Sequence, residues 1–167
     1  MGGAITFESA EGRGSAFSFT LEFPRSAEPP VSTEPTNERL QGSGKVLLVD
    51  DNNINRLIAS HHLKALGFEV DQAEDGAQAV ERWRHGAYVL IVMDCQMPVL
   101  DGYQATGNIR SEEAGRAHVP ILGLTAHAMA GDREKVLAAG MDEYLAKPVR
   151  LPDLQRTLTR LGLVRPG

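Results

Sequence analysis

Residues 46–51 read Val-Leu-Leu-Val-Asp-Asp, a short apolar run that ends directly in two acidic side chains. Three later apolar runs also end in a side chain suited to a metal-bound phosphoryl group: residues 89–93 lead to Asp94, 121–124 to Thr125 and 144–146 to Lys147. Open α/β folds place their sites at the carboxyl ends of parallel strands. If these runs are neighbouring strands, three carboxylates, a hydroxyl and an ammonium group meet at one edge. This set predicts a Mg²⁺-dependent aspartyl-phosphate site.

From Lys45 onward, short apolar runs alternate with segments of helical periodicity. The expected strands are 45–49, 68–73, 88–93, 120–125 and 143–146, and the expected helices lie near 53–66, 76–85, 102–114, 131–139 and 150–161. In the first helix, apolar side chains recur at helical spacing, namely Ile54, Leu57, Ile58, Ala65 and Leu66. Parallel strands need crossover connections of this kind. The pattern predicts an α/β fold in which helices cover both faces of a five-stranded parallel sheet.

Two segments of different composition come before this region. Residues 1–23 predict a β-hairpin, because the arm that ends at Phe23 alternates apolar and polar side chains. A single hairpin is marginally stable in water, so we expect it to belong to a larger domain upstream. Residues 24–44 contain four prolines among Ser, Thr, Glu and Gly. We interpret them as a linker, because they cannot bury enough apolar surface to offset their ordering entropy.

The composition excludes several classes of function. The 167 residues are 42% hydrophobic and 23% charged, with a net charge of −5. This balance suits a globular domain and provides no basic surface for nucleic acid. The one cysteine cannot form an internal disulfide. No apolar run reaches the roughly 18–20 residues that cross a bilayer, and the N-terminus lacks a signal-peptide pattern. We expect a cytoplasmic segment without membrane contact, whose parent chain could still be membrane-anchored.

The residues themselves leave some alternatives open. Adjacent carboxylates repel, so Asp50 and Asp51 indicate either a bound cation or an aspartate that caps the next helix. Asn52 and Asn53 could cap that helix equally well. His61-His62 superficially resembles a phosphotransfer histidine, but we interpret the pair as a solvated helix face. Cys95 is expected to be part of a loop, and Trp83 to pack the second helix on the sheet.

Two longer motifs resemble the receiver domain of two-component signalling proteins. They are Val-Asp-Asp-Asn-Asn-Ile-Asn-Arg at 49–56 and Met-Asp-Cys-Gln-Met-Pro-Val-Leu-Asp-Gly at 93–102, and Thr125-Ala126 and Lys147-Pro148 follow in the expected order. The resemblance covers residues 45–162, leaves 163–167 as a tail, and is closest to receivers of hybrid sensor histidine kinases. It implies the flavodoxin-like strand order 2-1-3-4-5.

The resemblance also implies a role for individual residues. Asp94 would be the phosphoacceptor, and the Mg²⁺ ligands would be Asp51, Asp94, Asp50 through water and the backbone carbonyl of Gln96. Lys147 and Thr125 would contact the phosphoryl group, with Tyr144 and Ala126 as the switch partners of Thr125. The Lys147–Pro148 peptide bond would be cis. Ile54 and Ile58 would contact the phosphodonor, which is a histidine kinase dimerisation domain carrying phosphohistidine or a histidine phosphotransfer protein.

The hairpin is similar to the last strands of a histidine-kinase ATP-binding domain, through Gly-Gly-Ala-Ile-Thr-Phe-Glu-Ser at 2–9 and Gly-Arg-Gly-Ser-Ala-Phe-Ser-Phe at 12–19. The elements that hold ATP in such domains are missing. The fragment should therefore not be a kinase itself, although its presumed parent is a hybrid histidine kinase. The expected chemistry is Mg²⁺-dependent self-phosphorylation from phosphodonors and slow autodephosphorylation.

Two competing functions remain. The domain could serve its kinase mainly as a docking or inhibitory module without phosphorylation. A nucleotide-binding enzyme of the same architecture needs a glycine-rich phosphate loop after the first strand. Residues 50–53 are acidic and amidic instead, which disfavours that class.

Overall fold

A computed structural model of the protein describes residues 3–10, 14–21, 40–113, 117–126 and 130–166. The chain divides into two compact units, residues 1–37 and 38–167. Within the described ranges, no helix combines the length and the apolar character needed to span a bilayer.

The first unit contains the predicted hairpin. Strand β1 (Gly3–Ala10) pairs antiparallel with β2 (Gly14–Leu21), and Phe7 lies opposite Phe17. The turn at 11–13 and most of the predicted linker lie outside the described residues. The origin of the hairpin in a kinase domain stays a prediction.

The second unit is a doubly wound α/β domain. Its strands are β3 (Leu40–Gly42), β4 (Lys45–Val49), β5 (Glu69–Ala73), β6 (Leu90–Asp94), β7 (Ile121–Thr125), β8 (Glu143–Ala146) and β9 (Val164–Pro166). Its helices are α1 (Asn53–Ala65), α2 (Gly76–His85), α3 (Gly102–Glu112), α4 (Ala130–Ala138) and α5 (Leu151–Arg160). Strands β4 to β8 form one parallel sheet in the order β5-β4-β6-β7-β8. The predicted fold and the order 2-1-3-4-5 are confirmed.

Side chains that alternate along the central strands build two separate cores, one on each face of the sheet. On one face, Leu47 and Ile91 pack with α2 and α3 through Trp83 and Ile109. On the other face, Leu48 and Val92 pack with α1 and α5, through Leu63 and Leu158 respectively. Residues 46–49 of β4 and the whole of β6 are buried, as the continuous apolar runs at 46–49 and 89–93 predict, and β7 is buried along its whole length. The predicted packing of Trp83 is confirmed.

Two short strands lie outside the limits that the sequence indicates for this domain. Strand β3 falls in the predicted linker and β9 in the predicted tail, yet they pair with each other antiparallel. Val164 is buried in the same core as Leu63. Gly42 passes so close to Phe68 that a Cβ atom there would lie 2.1 Å from the ring. A glycine at this position therefore lets β3 close against the domain.

Candidate functional site

The ends of β4 and β6 bring three carboxylates together. Asp50 follows β4 and is buried, Asp94 ends β6 and is buried, and Asp51 is exposed to solvent. One carboxylate oxygen from each of the three residues lies within 4.8 Å of the other two. These strands are direct neighbours in the parallel sheet. The sheet order therefore produces the acidic cluster that the sequence predicts.

Lys147 lies between the two buried carboxylates. Its Nζ atom is 2.6 Å from Asp50 Oδ2 and 2.5 Å from Asp94 Oδ2. Burial lowers the pKa of Lys147, but the hydrogen bonds and charges of the two aspartates outweigh it, so its pKa lies above the usual value. The ammonium is therefore charged and offsets one of the three negative charges.

The pKa of Asp94 lies above the usual value for an aspartate, so its carboxyl group holds a proton more readily. Burial raises the pKa of Asp94, and the charge of Asp50 adds to this effect. Lys147 and the backbone N–H of Gln96, which donates to Asp94 Oδ1 at 3.1 Å, oppose the rise without cancelling it. A second positive charge at the cluster would favour the ionised carboxylate that a nucleophile requires.

An asparagine, rather than an aspartate, caps α1. Asn52 Oδ1 accepts hydrogen bonds from the backbone N–H groups of Ile54 at 2.9 Å and Asn55 at 3.3 Å. Asp50 Oδ1 accepts from the backbone N–H of Asn52 at 2.9 Å. The alternative in which Asp50 or Asp51 caps the helix is therefore wrong. Both carboxylates are left for the cluster.

The loop after β6 contributes further residues around the acidic cluster. Gly102 begins α3, and a Cβ atom at this position would lie 2.0 Å from the backbone oxygen of Asp94. Only glycine lets α3 start this close to the end of β6. Asp51 and Gln96 line one shallow cleft together with Asp101. The role of the Gln96 carbonyl as a metal ligand stays a prediction.

The predicted switch residues lie on the adjoining strands. Thr125 ends β7 and is buried, the next residue, Ala126, is exposed, and the backbone N–H of Lys147 donates to the Thr125 carbonyl at 2.8 Å. Tyr144 in β8 is half-buried against one core. The Lys147–Pro148 bond is cis, as predicted. The structure thus brings Thr125 and Lys147 to adjacent strand ends, while the movement of Tyr144 stays a prediction.

The three largest apolar side chains at the start of α1 do not lie on its buried face. Ile54 is 67% exposed, Leu57 69% and Ile58 43%. Arg56 is buried instead, together with Ala59, Ser60 and Leu63. Exposure of Ile54 and Ile58 is compatible with their predicted docking role, which stays a prediction.

Sequence reasoning missed Arg56 as a site residue. One terminal nitrogen of its guanidinium donates to the backbone oxygens of Asp50 at 2.7 Å and Asp51 at 3.2 Å. The other pairs with Glu74 Oε1 at 2.8 Å. The only signal in the sequence is an arginine one turn after the acidic pair, which by itself indicates a solvated helix face.

The remaining residues weighed in the sequence are not members of the acidic cluster. His61 is exposed and His62 half-buried, both on α1. Burial and the charge of neighbouring His61 lower the pKa of His62. Cys95 is buried next to Asp94 in the loop.

The carboxylate cluster fits a magnesium ion. Three carboxylates and one ammonium carry a net charge of about −2, and Mg²⁺ prefers oxygen ligands of this kind while keeping several waters. The exposed carboxylate of Asp51 leaves the cluster open to solvent on one side. An acidic triad of this type is typical of a Mg²⁺ site.

The fold and the site together define a class, an α/β domain with three carboxylates and one lysine at the carboxyl edge of its sheet. Residues 46–159 match the response regulator receiver domain family, and the chain belongs to that family. It is homologous to the receiver domains of hybrid sensor histidine kinases.

Comparison with individual proteins supports the same assignment. The chain is 35% identical to the sensor protein EvgS of Escherichia coli K12 over 173 residues, which covers 98% of this chain and 14% of EvgS. The receiver domain of the sensor histidine kinase PA1611 from Pseudomonas aeruginosa PAO1 is 50% identical, with a TM-score of 0.63, over 70% of this chain and 94% of that one. Its crystal structure holds a magnesium ion in the active site cleft.

A third comparison involves a complex. The co-crystal structure of the Saccharomyces cerevisiae phosphotransfer protein Ypd1 and the receiver domain of Ssk1 matches with a TM-score of 0.69 and 36% identity, over 73% of this chain and 90% of that one. The chain spans between 4% and 20% of the length of the curated relatives that it matches.

Proposed function

We propose that this domain is a phosphoacceptor in a two-component phosphorelay and that Asp94 takes the phosphoryl group from a phosphohistidine. The observation that carries the proposal is the position of Lys147 Nζ, 2.5 Å from Asp94 Oδ2 at the edge where Asp50 and Asp51 also lie. Phosphoryl transfer asks mainly for positioning and charge neutralisation, and this cluster offers both.

The proposed step is a displacement at phosphorus. A carboxylate oxygen of Asp94 forms a bond to the phosphorus, the P–N bond to the donor histidine breaks, and its electron pair returns to the imidazole nitrogen. Lys147 exchanges part of its contact with the carboxylates for the phosphoryl oxygens. Asp50, Asp51, Asp94 and the Gln96 carbonyl would hold Mg²⁺, which when bound supplies neutralising charge to the phosphoryl oxygens.

The phosphoryl group adds about two negative charges at neutral pH. We propose that the Thr125 hydroxyl moves toward it and that Tyr144 follows into the space released. Ala126 leaves room for the phosphoryl group because its side chain is a single methyl. Support comes from the sheet, in which Thr125 pairs with Ala146 and Gly123 pairs with Tyr144. Tyr144 therefore lies on the neighbouring strand, two residues from the direct partner of Thr125, which is the diagonal position.

The phosphodonor is proposed to dock beside α1. Ile54, Leu57 and Ile58 expose apolar surface on the helix that starts at the site. Exposed apolar surface of this kind is suited to a protein contact. The Ssk1 receiver forms a complex with the histidine phosphotransfer protein Ypd1. A histidine phosphotransfer protein or the phosphohistidine domain of a kinase is the corresponding partner here.

The hairpin of the first unit is proposed to be the end of a kinase ATP-binding domain, so that the parent chain is a hybrid histidine kinase. The alignment with EvgS supports this because it covers 98% of the chain, including the hairpin.

The test of the proposed function is phosphorylation from a small phosphodonor such as acetyl phosphate in Mg²⁺. The native chain should be labelled, and Asp94→Asn should not. Asp75→Asn is a matched control, because Asp75 caps α2 through Gln78 and asparagine caps equally well. Labelling that persists in Asp94→Asn contradicts the role of Asp94. Beryllofluoride with Mg²⁺ separates the docking-only alternative, which predicts no amide shifts around Asp94.

A further inference from the structure

Arg56 is a buried cation whose hydrogen bonds converge on the acidic loop. Its side chain is 9% exposed. A buried guanidinium destabilises a fold unless its N–H groups are paired. Two of its three contacts are with the backbone oxygens of Asp50 and Asp51, and the third is with Glu74. Its Nε has no hydrogen-bond partner among the described residues.

The two aspartates depend on Arg56 to different degrees. The carboxylate of Asp50 is also held by the Asn52 backbone and by Lys147. Among the described residues, by contrast, the carboxylate of Asp51 has no hydrogen bond or ion pair, and it is exposed. The direction in which the Asp51 side chain leaves the loop is therefore set by its backbone. Arg56 holds that backbone through the carbonyl.

We infer that Arg56 is a positioning residue for the metal site, which orients Asp51 through the backbone and is itself held by Glu74 from the loop after β5. This inference rests on the proposed function, because it concerns the same Mg²⁺ site. Groups that orient metal ligands typically change metal affinity about 10- to 100-fold when they are replaced.

Simple electrostatics predicts the opposite sign. A cation close to the carboxylates repels Mg²⁺, so removal of its charge should tighten metal binding. If Arg56 positions Asp51, Mg²⁺ binding should weaken when the charge of residue 56 is removed. It should also weaken when that charge is kept on a side chain of different shape. Arg56→Met and Arg56→Lys therefore separate the two effects, because lysine lacks the planar guanidinium that contacts both carbonyls and Glu74 at once.

The experiment measures the Mg²⁺ dissociation constant of the full chain by isothermal titration calorimetry, with the melting temperature in EDTA recorded separately. We expect Arg56→Met and Arg56→Lys each to weaken Mg²⁺ binding about tenfold. Glu74→Asp keeps the charge but shortens the side chain. It should also weaken Mg²⁺ binding, by a smaller factor than the Arg56 variants. Arg84→Met and Arg84→Lys are the matched controls, because Arg84 pairs with Glu112 on the exposed surface of α2 and α3.

The outcomes are distinguishable. Tighter or unchanged Mg²⁺ binding in a folded Arg56→Met or Arg56→Lys overturns the inference, even if the melting temperature falls, because a purely structural arginine would behave in that way. If both Arg56 variants fail to fold, Glu74→Asp decides, and an unchanged dissociation constant in it overturns the inference. Failure of the native chain to bind Mg²⁺ overturns the proposed function itself.

Discussion

Lys147 Nζ is 2.5 Å from Asp94 Oδ2, and the same atom is 2.6 Å from Asp50 Oδ2. One ammonium thus contacts two carboxylates that are both almost completely buried. The three groups come from three different strand ends, and the parallel sheet alone brings them together. Without the lysine, the two buried carboxylates would have no opposite charge among these groups.

Replacement of Lys147 by methionine should destabilise the protein in the absence of metal. Removal of one partner of a buried ion pair costs about 3–5 kcal/mol, because it leaves the other charge buried and unpaired. We expect a loss of about 3 kcal/mol in the free energy of unfolding, measured by urea denaturation in EDTA. Saturating Mg²⁺ should recover part of this loss, because the ion supplies positive charge to the same carboxylates.

Lys64→Met is the control for this variant, since Lys64 lies exposed on α1 and the substitution removes the same charge. An equal effect of the two substitutions would contradict the buried ion-pair interpretation. An unchanged loss in Mg²⁺ would contradict metal binding at these carboxylates.

Asp51→Asn should have the opposite effect on stability. Asp51 is exposed and lies within 4.8 Å of the carboxylate oxygens of Asp50 and Asp94, so its charge adds repulsion. We expect the metal-free protein to gain about 1 kcal/mol in the free energy of unfolding. The increase in melting temperature on adding Mg²⁺ should be much smaller than in the native protein, because a proposed Mg²⁺ ligand is lost. Calorimetric melting with EDTA and with Mg²⁺ measures both effects.

Glu69→Gln removes the same charge at the opposite end of the sheet, where β5 begins. It should leave the Mg²⁺-dependent increase in melting temperature intact. A metal-free Asp51→Asn that is less stable than the native chain would show that the carboxylate has a structural role instead.

The sequence predicts this edge of the sheet well, because each polar group directly follows a continuous apolar strand. It predicts the buried face of α1 poorly. Hydrophobicity favours Ile54 and Leu57 as core residues and Arg56 as a surface residue. In the structure Ile54 and Leu57 are exposed and Arg56 is buried. Arg56 is buried because two backbone oxygens and Glu74 pair with its guanidinium. The Glu74 partner follows a different strand, so local periodicity cannot reveal it.

The β3–β9 pair could not be predicted for a related reason. Each strand has three residues, too few for an alternating pattern, and the partners come from opposite ends of the domain. What holds β3 in place is the contact of Gly42 with Phe68 and the hydrogen bond from its N–H to the Leu66 carbonyl at 2.7 Å. Neither is visible as a sequence motif.

Tyr88 should make stability depend on pH in the alkaline range. Burial and the hydrogen bond from its hydroxyl to Asp71 raise the pKa of Tyr88 from 10.0 to about 12. The folded state therefore favours the neutral phenol. The contribution of the Tyr88 phenol to the free energy of unfolding is complete below pH 10 and is lost as the pH rises toward about 12. The absorbance of tyrosinate, recorded in the folded protein as the pH is raised, should show that one of the three tyrosines ionises at a higher pH than the usual value.

Tyr88→Phe should abolish the late ionisation and reduce the fall in stability between pH 10 and about 12. Tyr103→Phe is the comparison, because it removes a tyrosine while leaving the Tyr88–Asp71 pair in place. Late ionisation that survives in Tyr88→Phe would assign the raised pKa to another residue.

Thr125→Ala should separate phosphate uptake from the conformational response. The carboxylates and Lys147 remain in this variant, so Asp94 should still accept phosphate from acetyl phosphate in Mg²⁺. The hydroxyl that is proposed to follow the phosphoryl group is gone, so the signal for Tyr144 to move is lost. We expect beryllofluoride with Mg²⁺ to shift the NMR resonances around Asp94 as in the native chain, while the Tyr144 ring resonances shift several-fold less.

Thr125→Ser keeps the hydroxyl and removes only a methyl group, so it should restore most of the Tyr144 response. Because Thr125 is buried, both variants lose some packing, and the serine variant shows how much of the effect is due to packing alone. A full Tyr144 response in Thr125→Ala would contradict the coupling, since the phosphoryl group would then act on β8 without the β7 hydroxyl. A response lost equally in both variants would assign it to the packing of β7 against β8.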